Sequence, residues 1–290
     1  METVAHYATN IWAFASVVSM NNRLNYFRKH HGSSCQEDWE RVVMLHQAAL
    51  MSDRFTSPKP LALHIEGQSI DYELLPVGRL LAHEIFKHII TSRNKRIVNL
   101  CAIMESVGRA LAQLHRYYKL SRSSEMKFNI NNVSWLSEKR LADISNIVAR
   151  SAHAYFHGDF GTGNIWISKQ SSTLVIIDPI PSMYFPDKSA YRASIYYDIG
   201  HMVSTLWCIY PLWLYPFINW KVPKLLISSF LRGYDLESQQ QPLHRPAVIF
   251  FAVWILDAYM KKKKAQFTGP SGCLRKQLYL WRRESLIEEI

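Results

Sequence analysis

The sequence has few cysteines and no uninterrupted apolar run long enough to cross a membrane. Its four cysteines are far apart and form no CxxC pair, which argues against a zinc site or a disulfide framework. The longest apolar run, residues 247–256, is about half of the ~20 residues that a membrane span requires. The first residues lack the basic cluster of a signal peptide, and Glu2 stands in its place. We therefore expect a protein of a reducing, cytoplasmic compartment.

Nucleic-acid-binding signatures are also missing, although the net charge is +11. Such a charge suggests an anionic partner. The densest basic run, residues 261–264, follows an apolar segment with a helical pattern, and cations are typical of a helix C-terminus. The sequence therefore argues against nucleic acid as the partner, and nothing in it indicates an obligate protein partner.

An aromatic segment at residues 205–220 is interrupted by Pro211 and Pro216, which makes it unsuited to span a membrane. Its apolar side chains favour a place in the core or in the wall of a pocket. A peripheral contact with a membrane surface is the less favoured alternative.

Strand patterns occupy the first part of the chain, and helix patterns occupy the second. Residues 23–30 and residues 69–78 have the alternation of strands, with a helical pattern between them. Residues 105–118 have apolar side chains at helical spacing, and the chain after residue 196 is mostly helical in pattern. Nearly half of the residues are apolar, 48%, so a substantial core is possible. This arrangement indicates a two-lobed α+β enzyme with its site at the junction.

A polar, glycine-rich loop separates the two parts. It reads HGDFGTGNIWI and contains His157, Asp159 and Asn164 in the spacing H-x-D-x-x-x-x-N. That spacing is typical of the catalytic loop of phosphoryl-transfer enzymes. A predicted hairpin follows, and Asp178 ends its second strand, fourteen residues after Asn164. An isolated Asp–Asn pair in such a loop is usually only a turn, but the flanking residues and the hairpin favour a catalytic site.

The residue types of this loop suit phosphoryl transfer, which needs positioning more than covalent help. Asp159 can receive or orient the proton of an attacking hydroxyl group. Asn164 offers an amide oxygen and Asp178 a carboxylate, and Mg²⁺ prefers such oxygen ligands together with phosphate oxygens and water. A zinc site at His157 is disfavoured, because no second His stands at ligand spacing.

The sequence resembles the aminoglycoside phosphotransferase and choline kinase group of kinase-like small-molecule phosphotransferases. The resemblance rests on VGRALAQLH, HGDFGTGNIWI, LVIIDP and YYDIGHM, which occur in the family's order and cover roughly residues 24–260. It implies a bilobal, protein-kinase-like α+β fold. Residues 1–76 would form a short, β-rich nucleotide-binding lobe, and residues 77–290 a larger, mostly helical lobe for catalysis and acceptor binding.

The resemblance also implies roles for individual residues. Asp159 would be the catalytic acid, and Asn164 and Asp178 would be the two magnesium ligands. His157 and Asp198 would support the catalytic loop, although an ordinary helix N-cap is the alternative for Asp198.

The phosphoryl donor implied by the resemblance is ATP or GTP. Its base would meet backbone C=O and N–H groups of Glu73 and Leu75, in the strand that joins the lobes. A Lys on an early strand, paired with a Glu on the next helix, would hold the α and β phosphates. The candidates for this pair are Lys29 and Glu40, and their competitors are Arg28 and Glu37.

Two features depart from the family's pattern. No glycine precedes Gly32, so the glycine-rich loop that covers the phosphates in protein kinases is missing. Pro179 follows Asp178, and its φ is fixed near −65°, which indicates a rigid segment rather than an activation switch. The first departure leaves open a second hypothesis, a catalytically weak or inactive nucleotide-binding scaffold.

The acceptor is the part of the function that the sequence determines least. From Gly200 onward the chain has twelve Lys or Arg residues and six acids, which disfavours a polycationic acceptor. Aromatic side chains of this region either stack on a sugar, enclose a choline-like cation or belong to the core: Trp207, Trp213, Tyr215 and Trp220. We therefore expect a hydroxyl group on a neutral or anionic small molecule, such as a sugar or a glycan precursor.

Overall fold

The computed structural model places most strands in the first part of the chain and most helices in the second, which confirms the predicted order. It describes residues 4–10, 13–20, 23–90, 94–117, 133, 135–151, 153–169, 173–179, 192–208, 210–239 and 242–288. The strands are β1 Val4–Asn10, β2 Ala13–Met20, β3 Arg23–His30, β4 Phe55–Thr56, β5 Pro60–His64, β6 Ser69–Glu73, β7 Gly78–Leu80, β8 His153–Tyr155, β9 Ile165–Ser168, β10 Leu174–Ile176 and β11 Arg192–Ser194. The helices are α1 Cys35–Leu50, α2 Leu81–His88, α3 Asn94–Tyr117, α4 Glu138–Arg150, α5 Tyr196–Cys208, α6 Lys221–Ser238, α7 Arg245–Lys262 and α8 Gly269–Ile287. Short 3₁₀ helices cover Gly32–Ser34, Thr162–Asn164, Leu212–Phe217 and Lys264–Phe267.

A five-stranded antiparallel sheet, in the order β1-β2-β3-β6-β5, contains the early strands. Strand β3 lies beside β6, with Lys29 opposite Ile70. Helix α1 packs against this sheet, and its Cys35 and Val42 share a small buried cluster with Ile70 and Tyr72. This packing fixes the position of β3 and therefore of Lys29.

A second sheet, in the order β4-β10-β9-β7, holds the polar loop. Strands β9 and β10 are antiparallel, with Ile165 opposite Ile176, which confirms the predicted hairpin. The backbone N–H of Ile177 donates to the carbonyl of Asn164 at 3.1 Å and continues the register beyond the strands. Asp178 therefore leaves the sheet beside the loop that carries Asn164.

Helices α3 and α6 pack with their backbones in contact. A Cβ atom on Gly108 of α3 would collide with the carbonyl oxygen of Phe230, and one on Gly233 of α6 would collide with that of Glu105. The apolar face of α3 is buried in the main core, with Val107, Leu111 and Leu114. Glycine at both crossing positions lets the two helices approach this closely.

Helix α3 also contains a segment, Lys95–Arg116, that is long and apolar enough to cross a membrane by length and composition. About 50% of its 18-residue apolar window is buried inside the protein. The buried part of this helix packs against α6 and the main core.

Helix α5 crosses the core of the helical part. All of its residues except Thr205 are buried. Gly200 lies against Phe251 of α7, which lets these two helices pack closely. The helix begins beside the polar loop, and near its end Trp207 donates a hydrogen bond to the carbonyl of Arg282, so α5 links the loop with α8.

Candidate active site

Asp198, in the first turn of α5, holds the start of the polar loop. Its Oδ2 accepts a hydrogen bond from the backbone N–H of His157 at 2.7 Å, and its Oδ1 accepts one from Gly158 at 3.0 Å. The Nε2 of His115 lies 3.3 Å from Oδ2, and the other ring nitrogen of His115 lies 2.9 Å from the hydroxyl of Tyr234. Asp198 is thus buried inside the helix and bonded to the loop, and it does not occupy the N-cap position.

The turn at the start of the loop depends on the glycine at position 158 and on the charge of Asp198. Gly158 has φ +86°, a conformation that strains residues with a side chain. Burial by itself would raise the pKa of Asp198, but the hydrogen bonds of the His115 side chain and of the His157 backbone outweigh it, so the pKa lies below its ordinary value. An ionised Asp198 therefore holds two backbone N–H groups of the loop.

His157 is a buried imidazole that ties the loop to the hairpin. Burial lowers its pKa, which favours the neutral ring. Its Nε2 lies 2.8 Å from the carbonyl oxygen of Ile177, and its Nδ1 accepts a hydrogen bond from the backbone N–H of Asp159 at 3.3 Å. The tautomer with the proton on Nε2 satisfies both partners, because a carbonyl only accepts and an N–H only donates.

Asp159 lies in the exposed part of the loop, with 43% of its side chain accessible. Its Oδ2 accepts a hydrogen bond from Nδ2 of Asn164 at 2.8 Å, and Nε2 of His201 lies 3.3 Å from its Oδ1. Asn164 also donates to the backbone carbonyl of Asp159 at 2.8 Å. Because the amide nitrogen of Asn164 faces Asp159, its amide oxygen is directed away and can ligate a cation.

Asp178 follows β10 in the left-handed backbone region, with φ +57°. This conformation is uncommon for a residue with a side chain, and such residues cluster at functional sites. Its Oδ1 lies 2.5 Å from Nζ of Lys29, and 25% of its side chain is accessible. Burial by itself would raise the pKa of Asp178, but the charge and hydrogen bond of Lys29 outweigh it and lower the pKa. The site therefore presents an ionised carboxylate at the end of the hairpin.

Asn164 and Asp178 suit a magnesium ion that is bound together with a phosphate ligand. Among the residues that the structure describes, no group of three or more His, Cys, Asp or Glu side chains could hold a metal. Mg²⁺ does not require such a group, since one or two carboxylates, phosphate oxygens and waters complete its shell. The donor set of one carboxylate and one amide oxygen fits this chemistry.

Lys29 and Arg28 extend from opposite sides of β3, as consecutive residues of a strand do. Lys29 is 6% exposed and pairs with Asp178. Arg28 instead donates two hydrogen bonds to Asp71, at 2.7 and 3.0 Å. The structure therefore places Lys29, and not its competitor Arg28, beside Asp178.

The predicted ion pair between Lys29 and Glu40 is not formed. Glu40 is half-buried and Glu37 is exposed on α1, whereas Lys29 pairs with Asp178. The buried acidic residue of α1 is Asp38, which is 3% exposed. Its hydrogen-bonding partners are His31 and Ser34. The residue that pairs with Lys29 is Asp178, which follows β10 in the left-handed backbone conformation.

A cavity of about 320 Å³ lies between the five-stranded sheet and the hairpin. Its lining includes Phe27 and Tyr72, whose rings stack with centroids 5.0 Å apart. Lys29 and Asp178 stand in the same wall, so the charged pair faces this space. The cavity is further lined by Arg79, His83, Gly163 and Trp166.

The two residues predicted to contact the base differ in their relation to the cavity. Leu75 lines it, whereas Glu73, the exposed last residue of β6, does not. The backbone N–H of Glu73 donates to the carbonyl of Lys59 at 2.9 Å. The predicted backbone contacts of both residues with a base remain predictions.

The aromatic segment at residues 205–220 divides into buried and exposed side chains. Trp207 is buried and Trp220 is half-buried. The guanidinium of Arg282 lies between them, with Cζ 3.9 and 3.7 Å from the two ring centroids. These rings hold a cation of the protein itself and do not form an open cage for a choline-like cation. Trp213, by contrast, is 67% exposed.

His201 lies beside Asp159 although the sequence analysis gave it no role. It is 3% exposed and stands three residues after Asp198 on α5. Residues three apart lie on one side of a helix. Once Asp198 is directed at the loop, this spacing in YYDIGHM directs His201 at the loop as well, and the sequence contained that signal.

Solved structures with a similar architecture cover nearly the whole chain. A choline/ethanolamine kinase family protein from Mesorhizobium loti matches with a TM-score of 0.61 and 11% identity, over 99% of this chain and 88% of that one. An ethanolamine kinase of Plasmodium vivax matches with a TM-score of 0.59 and 11% identity, over 97% and 82%. The gentamicin complex of APH(2")-IIa matches with a TM-score of 0.55 and 10% identity, over 99% and 91%. No protein-family model and no curated protein matches the sequence.

The protein has the protein-kinase-like fold. This confirms the predicted bilobal α+β class. The kinase-like architecture explains why a β-rich part with Lys29 faces a helical part that carries the polar loop. The boundary between the lobes at residue 76 stays a prediction.

Proposed function

We propose that this protein is a magnesium-dependent phosphotransferase that moves the γ-phosphoryl group of ATP or GTP to a hydroxyl group of a small molecule. The observation that carries the proposal is that Asn164 holds the carboxylate of Asp159 by a hydrogen bond, while its own backbone carbonyl accepts from Ile177, the residue before Asp178. The pair of Asp178 with Lys29 adds a buried cation beside them. Similar structures that are choline/ethanolamine and ethanolamine kinases support a small-molecule acceptor.

Each of these residues has a distinct role in the proposal. Asp159 orients the attacking hydroxyl group and receives its proton, with its carboxylate held by Asn164. Asn164 and Asp178 would hold the magnesium ion, which neutralises charge on the phosphate oxygens when it is bound. Lys29 would hold the α and β phosphates. Asp198 and His157 keep the loop in place, and they act only through it.

The cavity beside Lys29 is the proposed nucleotide site. Apolar groups around Leu75 and the ring of Phe27 suit a base, and Lys29 and Arg79 supply positive charge for phosphates. Backbone groups of Glu73 and Leu75 are the proposed partners of the base. On this proposal residues 1–76 are the nucleotide-binding lobe and residues 77–290 the catalytic and acceptor lobe.

The proposed acceptor is neutral or anionic. The chain from Gly200 onward has twelve Lys or Arg residues against six acids, so a polycation would be repelled as it approaches. The cation between Trp207 and Trp220 is Arg282, which removes these rings as a site for a choline-like acceptor. A sugar or a glycan precursor satisfies both conditions.

The test is a turnover assay with Mg²⁺, ATP or GTP and a library of hydroxyl-bearing metabolites, with detection of the phosphorylated product. Asp159→Asn keeps the shape of the side chain and removes the base, so turnover should fall by about 10²–10⁴-fold. The matched control is Asp143→Asn, which changes an exposed Asp of α4 and should keep the wild-type rate. Equal rates in wild type and Asp159→Asn would contradict the proposal.

Nucleotide binding without turnover would favour the scaffold hypothesis. A rise in the unfolding temperature with ATP and Mg²⁺ measures binding independently of catalysis. If the unfolding temperature rises but no compound of the library is phosphorylated, the protein is a nucleotide-binding scaffold and the phosphotransferase proposal is wrong. A screen in which only polycationic aminoglycosides react would instead overturn the acceptor class alone.

A further inference from the structure

The short 3₁₀ helix Leu212–Phe217 presents two aromatic side chains to the outside. Trp213 is 67% exposed and Phe217 is 60% exposed. Between them, Leu214 and Tyr215 are buried, and the Tyr215 hydroxyl donates to the carbonyl of Cys208. The helix is thus anchored in the core by one set of side chains while another set projects outward.

Helix α8 extends this exposed aromatic surface. The ring of Trp220 lies 5.7 Å from that of Tyr215 and 5.8 Å from that of Trp281, which joins the 3₁₀ helix to α8. Trp281 is 52% exposed. Leu225 of α6 is a further large apolar side chain nearby in sequence, and it is 49% exposed. The 3₁₀ helix, α6 and α8 therefore all contribute exposed apolar groups.

The charge around these groups has one sign. Residues 199–234 contain no Asp or Glu, and residues 258–283 contain none either. The first stretch contributes the exposed Lys221 and Lys224, and the second contributes the exposed Lys276. The remaining cations of the two stretches are Arg232, Lys261, Lys262, Lys263, Lys264, Arg275, Arg282 and Arg283.

Ring contacts link the second basic stretch to the 3₁₀ helix Leu212–Phe217. The ring of Tyr279 on α8 lies 6.4 Å from that of Tyr215 and 5.6 Å from that of Phe267. Phe267 closes the 3₁₀ helix that begins at Lys264, directly after α7. The 3₁₀ helix that follows the lysines at the end of α7 therefore packs, through Tyr279, against the 3₁₀ helix that carries Trp213 and Phe217.

We propose that this basic aromatic face, defined by Trp213, Phe217, Lys221, Lys224 and Trp281, docks on the surface of an anionic lipid bilayer. Trp and Phe side chains enter the interface between headgroups and acyl chains, and surrounding lysines are attracted to anionic headgroups. The combination of outward rings with two acid-free stretches is complementary to such a surface. RNA bases would stack on the outward rings but would make no use of the aliphatic Leu225, which suits the acyl region of a bilayer.

This inference is independent of the proposed activity, because docking requires neither nucleotide nor acceptor. It reverses the preference of the sequence analysis for part of the aromatic segment. The core role applies to Trp207 and Tyr215, and the membrane role applies to Trp213 and Phe217.

The test is flotation of the purified full chain with vesicles of phosphatidylcholine, with and without about one third phosphatidylglycerol. We expect binding to the anionic vesicles at low ionic strength, with little binding to pure phosphatidylcholine. Added salt should weaken binding, because it screens the lysines from the headgroups. No binding to the anionic vesicles at low ionic strength would overturn the proposal.

Variants distinguish binding through this face from nonspecific adsorption to vesicles. Trp213→Ala/Phe217→Ala and Lys221→Glu/Lys224→Glu should each weaken vesicle binding by about tenfold or more. The matched controls are Leu50→Ala/Met51→Ala, which removes exposed apolar groups of α1, and Lys59→Glu/Lys169→Glu, which changes exposed lysines elsewhere. The controls should bind as wild type does. A control that loses as much binding as its partner variant would contradict the assignment of the face.

Self-association is the competing use of an exposed aromatic face. Light scattering of wild type and Trp213→Ala/Phe217→Ala, without vesicles, measures it. A dimer that disappears in the variant would assign this face to a second copy of the chain and overturn the membrane proposal. Unchanged unfolding temperatures of all variants show that loss of binding does not come from loss of fold.

Discussion

The Nε2 atom of His201 lies 3.3 Å from Oδ1 of Asp159. Asn164 donates to the other oxygen, so the carboxylate is contacted on both sides. His201 itself is buried, and its Nδ1 has no hydrogen-bond partner within the described part of the chain. The imidazole is therefore directed at Asp159 by packing, and Asp159 is its one polar contact on the loop in the structure described.

His201 should position the carboxylate of Asp159. His201→Ala removes the contact, and we expect kcat to fall by about tenfold to a hundredfold, because small displacements of a catalytic group are costly. The KM for ATP should stay unchanged, since His201 does not line the proposed nucleotide cavity. His201→Gln can place an amide N–H near the same oxygen and should recover part of kcat. If kcat falls equally in His201→Ala and His201→Gln, or if only the KM for ATP changes, His201 has no positioning role.

Asp198 should stabilise the whole protein through the two loop N–H groups. Asp198→Asn keeps the volume but turns an N–H donor toward a backbone donor, so we expect a loss of about 2–4 kcal/mol in the free energy of unfolding. Urea denaturation measures this. Asp143→Asn on the surface of α4 is the control and should change stability by less than about 0.5 kcal/mol. A similar small change for Asp198→Asn would contradict the bracing role.

The pKa of Asp198 predicts a pH dependence of stability. Its pKa is lower in the folded protein than in the unfolded chain, so its stabilising contribution is complete above the unfolded value, about 4. This contribution is lost as the pH falls through the folded pKa. The stability difference between wild type and Asp198→Asn should therefore shrink in acid. A difference that stays constant from neutral to strongly acidic pH would disprove this linkage.

Lys29 and Arg28 provide a matched test of the phosphate contact. Lys29→Met removes the cation beside Asp178, and we expect kcat/KM for ATP to fall by about a hundredfold, as a loss of charge stabilisation in the transition state. Arg28→Met breaks the pair with Asp71 on the other side of β3 and should lower stability without a comparable kinetic effect. Initial rates over a range of ATP concentrations measure both. If kcat/KM for ATP falls strongly in Arg28→Met and little in Lys29→Met, the phosphate contact belongs to Arg28.

The crossing of α3 and α6 predicts a packing defect. Ala at Gly108 or Gly233 improves helix propensity by about 1 kcal/mol, but its Cβ collides with a carbonyl oxygen of the facing helix. We expect a net loss of about 1–3 kcal/mol in either variant, measured as a lower unfolding temperature. Ser106→Ala, on the exposed side of α3, is the control and should not destabilise the protein. Stabilisation by Gly108→Ala would mean that the helices cross at a greater distance.

Sequence patterns were most informative where the interacting residues are close along the chain. The loop and the hairpin lie within residues 157–178, so spacing and turn chemistry alone predicted that Asp159, Asn164 and Asp178 come together. Asp198 was found through a motif, but its contact with His115, which in turn contacts Tyr234, joins three different helices. Such contacts leave no mark in the spacing of a single sequence.

The sequence by itself determined the strand-to-helix order, the hairpin and the set of oxygen-bearing side chains on it, because these depend on local propensity and on contacts within about twenty residues. Only the tertiary structure decided that Lys29 pairs with Asp178 in place of Glu40, and that Arg282 fills the space between Trp207 and Trp220. It also decided which rings of the aromatic segment face outward. The physical reason is that each of these outcomes depends on the packing of elements far apart in the chain, which composition and periodicity do not specify.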